Sequence, residues 1–180
     1  PDHPVGWRDG LRGYLLRMVG RTARGPDEWG AIGVWAWGLS RALDYLQTLP
    51  GVDGRRVAVF GHSRHGKTAL WAGAQDERFA AVISNNSGEG GASLGRRNFG
   101  EMIADSVRVN IFWYCENYRT YAGRAAARPV DQHMLLALAA PRLLYVASAT
   151  LDLGADPRGE FLSAVHAAPA YRLFGHEGLG

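Results

Sequence analysis

The chain has 180 residues, 47% of them apolar and 21% charged, a balance that fits one folded domain and excludes a disordered tract. Twenty Lys and Arg against 17 Asp and Glu leave a net charge of +3, and all but one of the cations are scattered arginines, without the clustered stripe of a nucleic-acid binder. A single cysteine, Cys115, excludes an internal disulfide and a multi-cysteine zinc site, and no apolar stretch reaches the ~20 residues of a membrane span.

The chain opens on Pro1-Asp2-His3-Pro4, without an initiator Met or a signal peptide, and stops in the Gly-rich stretch His176 to Gly180. It reads as a fragment of a longer protein: one partial domain over 1–180, with elements missing on both sides. Residues 27–49 predict a helix. Asp27-Glu28 suit its first turn, and Trp29, Ile32, Trp35, Leu39, Leu43 and Leu46 form a buried face at spacings of three and four. Pro50-Gly51 ends it, and Asp53-Gly54 turns the chain. Val57 to Phe60 is a short continuous apolar run, predicted as a strand buried on both faces of a parallel sheet. Gly66 to Ala74 is a helix, 79–84 a second strand, 85–98 a long loop, and 99–121 an aromatic, helical segment. Asp131 to Ala140 is an apolar helix closed by Pro141, and Leu143 to Ala147 a third buried strand. Pro157 to Ala167 is helical with Pro157 in the first turn, and 171–174 is a possible fourth strand. Strands alternating with helices argue for an α/β fold around a parallel sheet wound on right-handed crossovers.

The chemistry is concentrated at Val57-Ala58-Val59-Phe60-Gly61-His62-Ser63-Arg64-His65-Gly66-Lys67. An apolar strand runs into a tight turn centred on a serine with Gly nearby, and a helix follows. This is the layout of a nucleophile elbow. The serine hydroxyl must project above the sheet, small residues must let strand and helix approach, and the helix N-terminus must face the reaction centre. The pattern here is Gly-x-Ser-x-x-Gly, with His65 where a second Gly normally sits. Ser63 is therefore a candidate nucleophile, against the plainer reading of a turn serine. The backbone N–H of Arg64 stands where an oxyanion donor belongs. Lys67 lacks the spacing of a phosphate-binding loop.

Gly61-His62-Ser63-Arg64-His65-Gly66-Lys67 resembles the Gly-x-Ser-Arg-x-Gly-Lys signature of the glucuronoyl esterases, carbohydrate esterase family fifteen. Ser84 to Gly88, Asn98 to Glu101, Asp131 to Leu138 and Ala147 to Ala149 with Asp152 and Ala155 to Pro157 match in order, over nearly all of 27–180. The resemblance implies an α/β-hydrolase fold, a three-layer sandwich incomplete at both ends here. It also implies cleavage of esters between lignin alcohols and 4-O-methyl-glucuronate side groups of xylan, with no cofactor and no metal. A small-molecule or polysaccharide ester would be the partner of a secreted or periplasmic monomer that engages neither nucleic acid nor membrane.

The resemblance also assigns roles. The Arg64 guanidinium adds charge to the oxyanion site, Lys67 donates to hydroxyls of the glucuronate ring, and Glu101 holds sugar hydroxyls. Some members carry a triad Glu directly after the second strand. Asn86 stands there and cannot supply a charge, so Asp152, after the third strand, is the expected acid, with Glu89 a weaker alternative. The base stays open between two positions. Chain order alone favours His176 over His166, whereas the resemblance places the catalytic His beyond Gly180. Gly154 replaces a Trp that family members pack against the sugar, which leaves open a more general esterase or peptidase, or a non-catalytic carbohydrate-binding module. His62 and His65 read as packing or pocket-wall residues, and His133 as a residue of a helix start. Trp113, Tyr114 and Tyr118 read as core aromatics that could also line a sugar cleft.

Overall fold

A computed structural model of the chain describes residues 10–179; Pro1 to Pro4 and Gly180, from which the ends were read, lie outside them. In chain order the elements are α1 (Leu11–Met18), α2 (Ala31–Leu46), β1 (Ala58–His62), α3 (Arg64–Gln75), β2 (Ala81–Asn85), α4 (Ile103–Val109), α5 (Gln132–Ala137), β3 (Leu143–Ala147) and α6 (Pro157–Arg172), with single helical turns in the loops. The three strands form one parallel sheet in the order β1-β2-β3. Register aligns Val59 with Val82 and Leu144, and His62 with Asn85 and Ala147, so all three strands end at the same edge.

One face of this sheet carries the core. Val59 and Val82 pack with Leu43 of α2, Ala69, Leu70 and Ala72 of α3, Leu136 of α5 and Ala167 of α6. Alanines dominate because the helices lie close to the strands. A Cβ at Gly73 would stand 2.3 Å from Val82 Cγ2, so α3 can approach β2 this closely only without a side chain there. The other face does not follow the prediction of strands buried on both sides. Phe60, Leu143 and Tyr145 remain 63%, 66% and 59% exposed. The helices that build the core lie against the opposite face, and a short apolar run does not reveal how many of its sides are covered.

Three further differences have local causes. The helix expected from residue 27 begins at Ala31, because Gly25 and Glu28 close a turn on themselves and the first N–H groups of α2 donate to Phe112 O and Trp113 O. Gly30 is required there, since a Cβ would meet Trp113 O at 2.2 Å, and Trp29 stays half exposed before the helix. Segment 99–121 is helical only at α4 and in the turn over Glu116–Tyr121, its aromatics being spaced for loop packing. Residues 171–174 are not a strand: α6 runs to Arg172, turn hydrogen bonds carry the chain to Gly175, and Tyr171 Oη donates to Arg142 O. Helix α1 went unpredicted, since its large apolar residues Leu11, Tyr14 and Met18 face outward while Arg12 and Gly13 are buried.

Candidate active site

The edge where β1, β2 and β3 end gathers the predicted site residues. Ser63 joins β1 to α3 with φ 54° and ψ −124°, a conformation that L residues rarely adopt and that costs of order 1–3 kcal/mol. The strain is enforced by packing. A Cβ on Gly61 would stand 1.9 Å from His65 O, so only glycine lets the strand pass under the helix start. The absence of glycine at position 65 is harmless, because the His65 ring points outward against Trp35, 5.5 Å away. Gly66 carries the need for a small residue, since a Cβ there would meet Ser87 Cβ at 2.9 Å. Ser63 is half buried, its own N–H donates to Asn85 O at 2.9 Å, and the N-terminus of α3 leaves the Arg64 N–H without a helical acceptor.

Arg64 and Lys67 share one aromatic platform. The Arg64 guanidinium lies 5.4 Å and the Lys67 Nζ 5.6 Å from the ring centre of buried Trp113. Lys67 is only 3% exposed; its Nζ donates to Ser87 O at 2.5 Å and stands 3.9 Å from Glu101 Oε2. Burial lowers the Lys67 pKa, opposed by the negative charges of Glu101, Glu89 and Glu160. Glu101 is partly exposed, and its N–H donates to Gly154 O at 2.8 Å, which joins the loop after residue 98 to the loop after β3. Glu101 thus links Lys67, through its side chain, to position 154, through its backbone.

Asp152 is exposed. Its Oδ1 accepts from Ala155 N at 3.3 Å, and its Oδ2 accepts from Asn86 Nδ2 at 2.7 Å. Glu89, the weaker alternative, is buried in an ion pair with Arg128 at 3.6 Å and accepts from Tyr118 Oη. Burial pushes its carboxyl pKa up. Arg128 also holds Asp131 at 2.6 Å, and Tyr114 and Tyr118 stack at 4.6 Å, so these tyrosines serve the network beneath the loop. With Trp113, Trp29, Trp71 and Met134 they also line a cavity of about 650 Å³ beside Lys67, whose walls include none of Ser63, Asp152 or Glu101.

The expectation of His176 as base is overturned. Helix α6 starts beside the loop that carries Asp152 and runs for 16 residues, about 24 Å at 1.5 Å per residue. Its far end is tied to Arg142, which precedes β3, so His176 sits at the opposite edge of the sheet from Ser63. His166 faces His133 on the same helical layer, with ring centres 5.9 Å apart. His62, expected as a packing or pocket-wall residue, is exposed at the end of β1, with its Nδ1 bonded to Asn85 Oδ1 at 2.7 Å. No described histidine is hydrogen-bonded to Asp152, and no group of His, Cys, Asp and Glu among the described residues could hold a metal ion.

Sequence reasoning missed the supports of the site. Glu160, fully buried, accepts from Ser87 N at 2.7 Å, Gly88 N at 2.9 Å and the hydroxyls of Ser87 and Ser148, fixing the turn whose carbonyl holds Lys67. In the sequence it is an ordinary first-turn glutamate. Asp156 caps α6 at Gly159 N and accepts from Arg97 Nε at 2.8 Å; an Asp directly before a first-turn Pro is the pattern by which that cap could have been found.

The model of the family "Glucuronyl esterase, fungi" matches residues 24–175. The chain is 48% identical over 174 residues to carbohydrate esterase MZ0003 from an unknown prokaryotic organism, covering 95% of this chain and 39% of that protein. It is 39% identical over 128 residues to the 4-O-methyl-glucuronoyl methylesterase of Podospora anserina, covering 65% of this chain and 26% of that protein. A glucuronoyl esterase structure from Solibacter usitatus superposes with a TM-score of 0.93 at 49% identity, covering 100% of this chain and 45% of that one. The chain thus spans less than half the length of each.

Proposed function

The chain belongs to the glucuronoyl esterases, carbohydrate esterase family fifteen, of the α/β-hydrolase fold, and from that footing we propose that its protein is a serine carboxylester hydrolase acting on 4-O-methyl-glucuronate esters. The observation that carries the reading is Ser63, held at a strained φ of 54° where β1 turns into α3, with two cations on one tryptophan beside it. The Ser63 hydroxyl attacks the ester carbonyl, the alcohol leaves, and water then releases the uronate from the acyl-enzyme. The Arg64 N–H and guanidinium stabilise the tetrahedral oxyanion in a partly desolvated corner. Lys67 and Glu101 supply a donor and an acceptor 3.9 Å apart, a spacing suited to ring hydroxyls between them. Asp152 orients the histidine that moves the proton. No described histidine does so, and the reading places that base in the part of the protein that this chain does not span.

The natural substrate is the ester linking lignin alcohols to glucuronoxylan. The protein acts as a secreted or periplasmic monomer without nucleic-acid or membrane partners. No described helix is long and apolar enough to cross a membrane. Hydrolysis of a benzyl glucuronate ester by the protein carrying this chain tests the proposal. Ser63→Ala is expected to lower kcat on the order of 10⁴-fold or more, leaving only oxyanion and binding effects. Unchanged turnover in the folded variant refutes it, and unchanged sugar binding without any turnover in the parent supports a non-catalytic module instead.

A further inference from the structure

A chain of side-chain hydrogen bonds crosses the strand ends. His62, the last residue of β1, is bonded through Nδ1 to Asn85 Oδ1 at 2.7 Å, at the end of β2. Asn85 Nδ2 donates to Asn86 Oδ1 at 2.9 Å, and Asn86 Nδ2 donates to Asp152 Oδ2 at 2.7 Å. Asn86 is the central member. It is 8% exposed, sits at φ 45°, and is fastened to the end of β3 at two more points, its N–H to Ala147 O at 2.9 Å and its Oδ1 from Ala149 N at 3.1 Å. Its amide orientation follows from the network, because only an oxygen can accept from Ala149 N–H and only an NH₂ can donate to a carboxylate. Asn85 O also accepts from Ser63 N, so the same two asparagines touch both the nucleophile turn and the acid.

We infer that Asn86 is a positioning residue, which sets the orientation of the Asp152 carboxylate relative to Ser63 and acts on the reaction only through Asp152. An exposed aspartate on a loop would otherwise sample several rotamers. One oxygen is held by Asn86 and the other by the Ala155 N–H, which leaves the remaining lone pairs in a fixed direction for a histidine N–H. Asparagine suits this post for two reasons. It tolerates positive φ, and it offers a donor to the acid and an acceptor to the β3 loop at once.

The inference rests on the esterase reading above and is tested by a double-mutant cycle in the protein carrying this chain. Asn86→Gly keeps the positive φ while removing the amide. It is expected to lower kcat for the benzyl ester about tenfold with KM within about twofold of the parent. Asp152→Ala lowers kcat far more, and adding Asn86→Gly to Asp152→Ala is expected to cost nothing further. Asn85→Ala, which leaves Asn86 in place, follows the same pattern with a smaller loss and serves if Asn86→Gly unfolds. An unchanged kcat in Asn86→Gly, or the same fold-loss with Asp152 present and absent, overturns the inference. Failure of the esterase reading is recognised separately, by a Ser63→Ala variant as active as the parent.

Discussion

Replacing Ser63 by Gly should make the protein more stable while abolishing its chemistry. Any residue with a Cβ at φ 54°, ψ −124° carries about 1–3 kcal/mol of backbone strain, which glycine does not. Against this, glycine loses roughly 0.5–1 kcal/mol more conformational entropy on folding. The proper reference is Ser63→Ala, which removes the hydroxyl but keeps the Cβ, so the two variants differ only in these two contributions. Their difference should be about 1 kcal/mol in favour of glycine. With a urea slope of about 2 kcal/mol/M, the unfolding midpoint of Ser63→Gly should lie about 0.5 M above that of Ser63→Ala at equal slope. Both variants should lack esterase turnover. A Ser63→Gly midpoint at or below that of Ser63→Ala would mean that the elbow is not strained in the free protein, and the argument that packing at Gly61 imposes the conformation would fail.

Gly61→Ala should be tolerated poorly, because its Cβ would stand 1.9 Å from a backbone oxygen that no rotamer change can move, and a loss of about 3 kcal/mol or more is expected in urea unfolding. Gly154→Ala, whose nearest neighbour is Asp152 Oδ1 at 3.5 Å, is the control and should change stability by less than about 0.5 kcal/mol. The Lys67 ammonium gives a pH test. Its folded pKa is lowered by burial, so above that value the folded state has lost a proton that the unfolded chain still binds up to about 10.5. Stability of the parent relative to Lys67→Met should therefore rise with pH across this window. A relative stability that falls between pH 8 and pH 10 would show that partners, not desolvation, dominate at Lys67.

Local signals in the sequence carried much of the fold. The five-residue strand β3 was legible residue for residue from its apolar run between Pro141-Arg142 and the polar loop, and the Ser63 turn from its glycines. What stayed hidden depends on distant contacts. Tyr171-Arg172-Leu173-Phe174 has strand composition, yet α6 simply continues through it, since nothing in a four-residue window separates the two outcomes. The start of α2 was set by carbonyls of Phe112 and Trp113, some eighty residues away. At the site, Ser63 and the Arg64 N–H were named from the strand–turn–helix motif, Lys67, Glu101 and Asp152 from the family resemblance, while Glu160 and the bridging role of Asn86 were not named. A buried carboxylate is recognisable only by the N–H groups around it, and those come from another loop.

The bridge between Asn86 and Asp152 also makes the negative charge portable. Asparagine and aspartate are nearly the same size and shape, and both accept the left-handed backbone found at position 86. Exchanging the two side chains across their 2.7 Å contact would carry the carboxylate from one strand end to its neighbour without redrawing the main chain. Two point changes would thus move a negative charge between neighbouring strand ends, and comparing residue types at a single position would mistake that move for a loss.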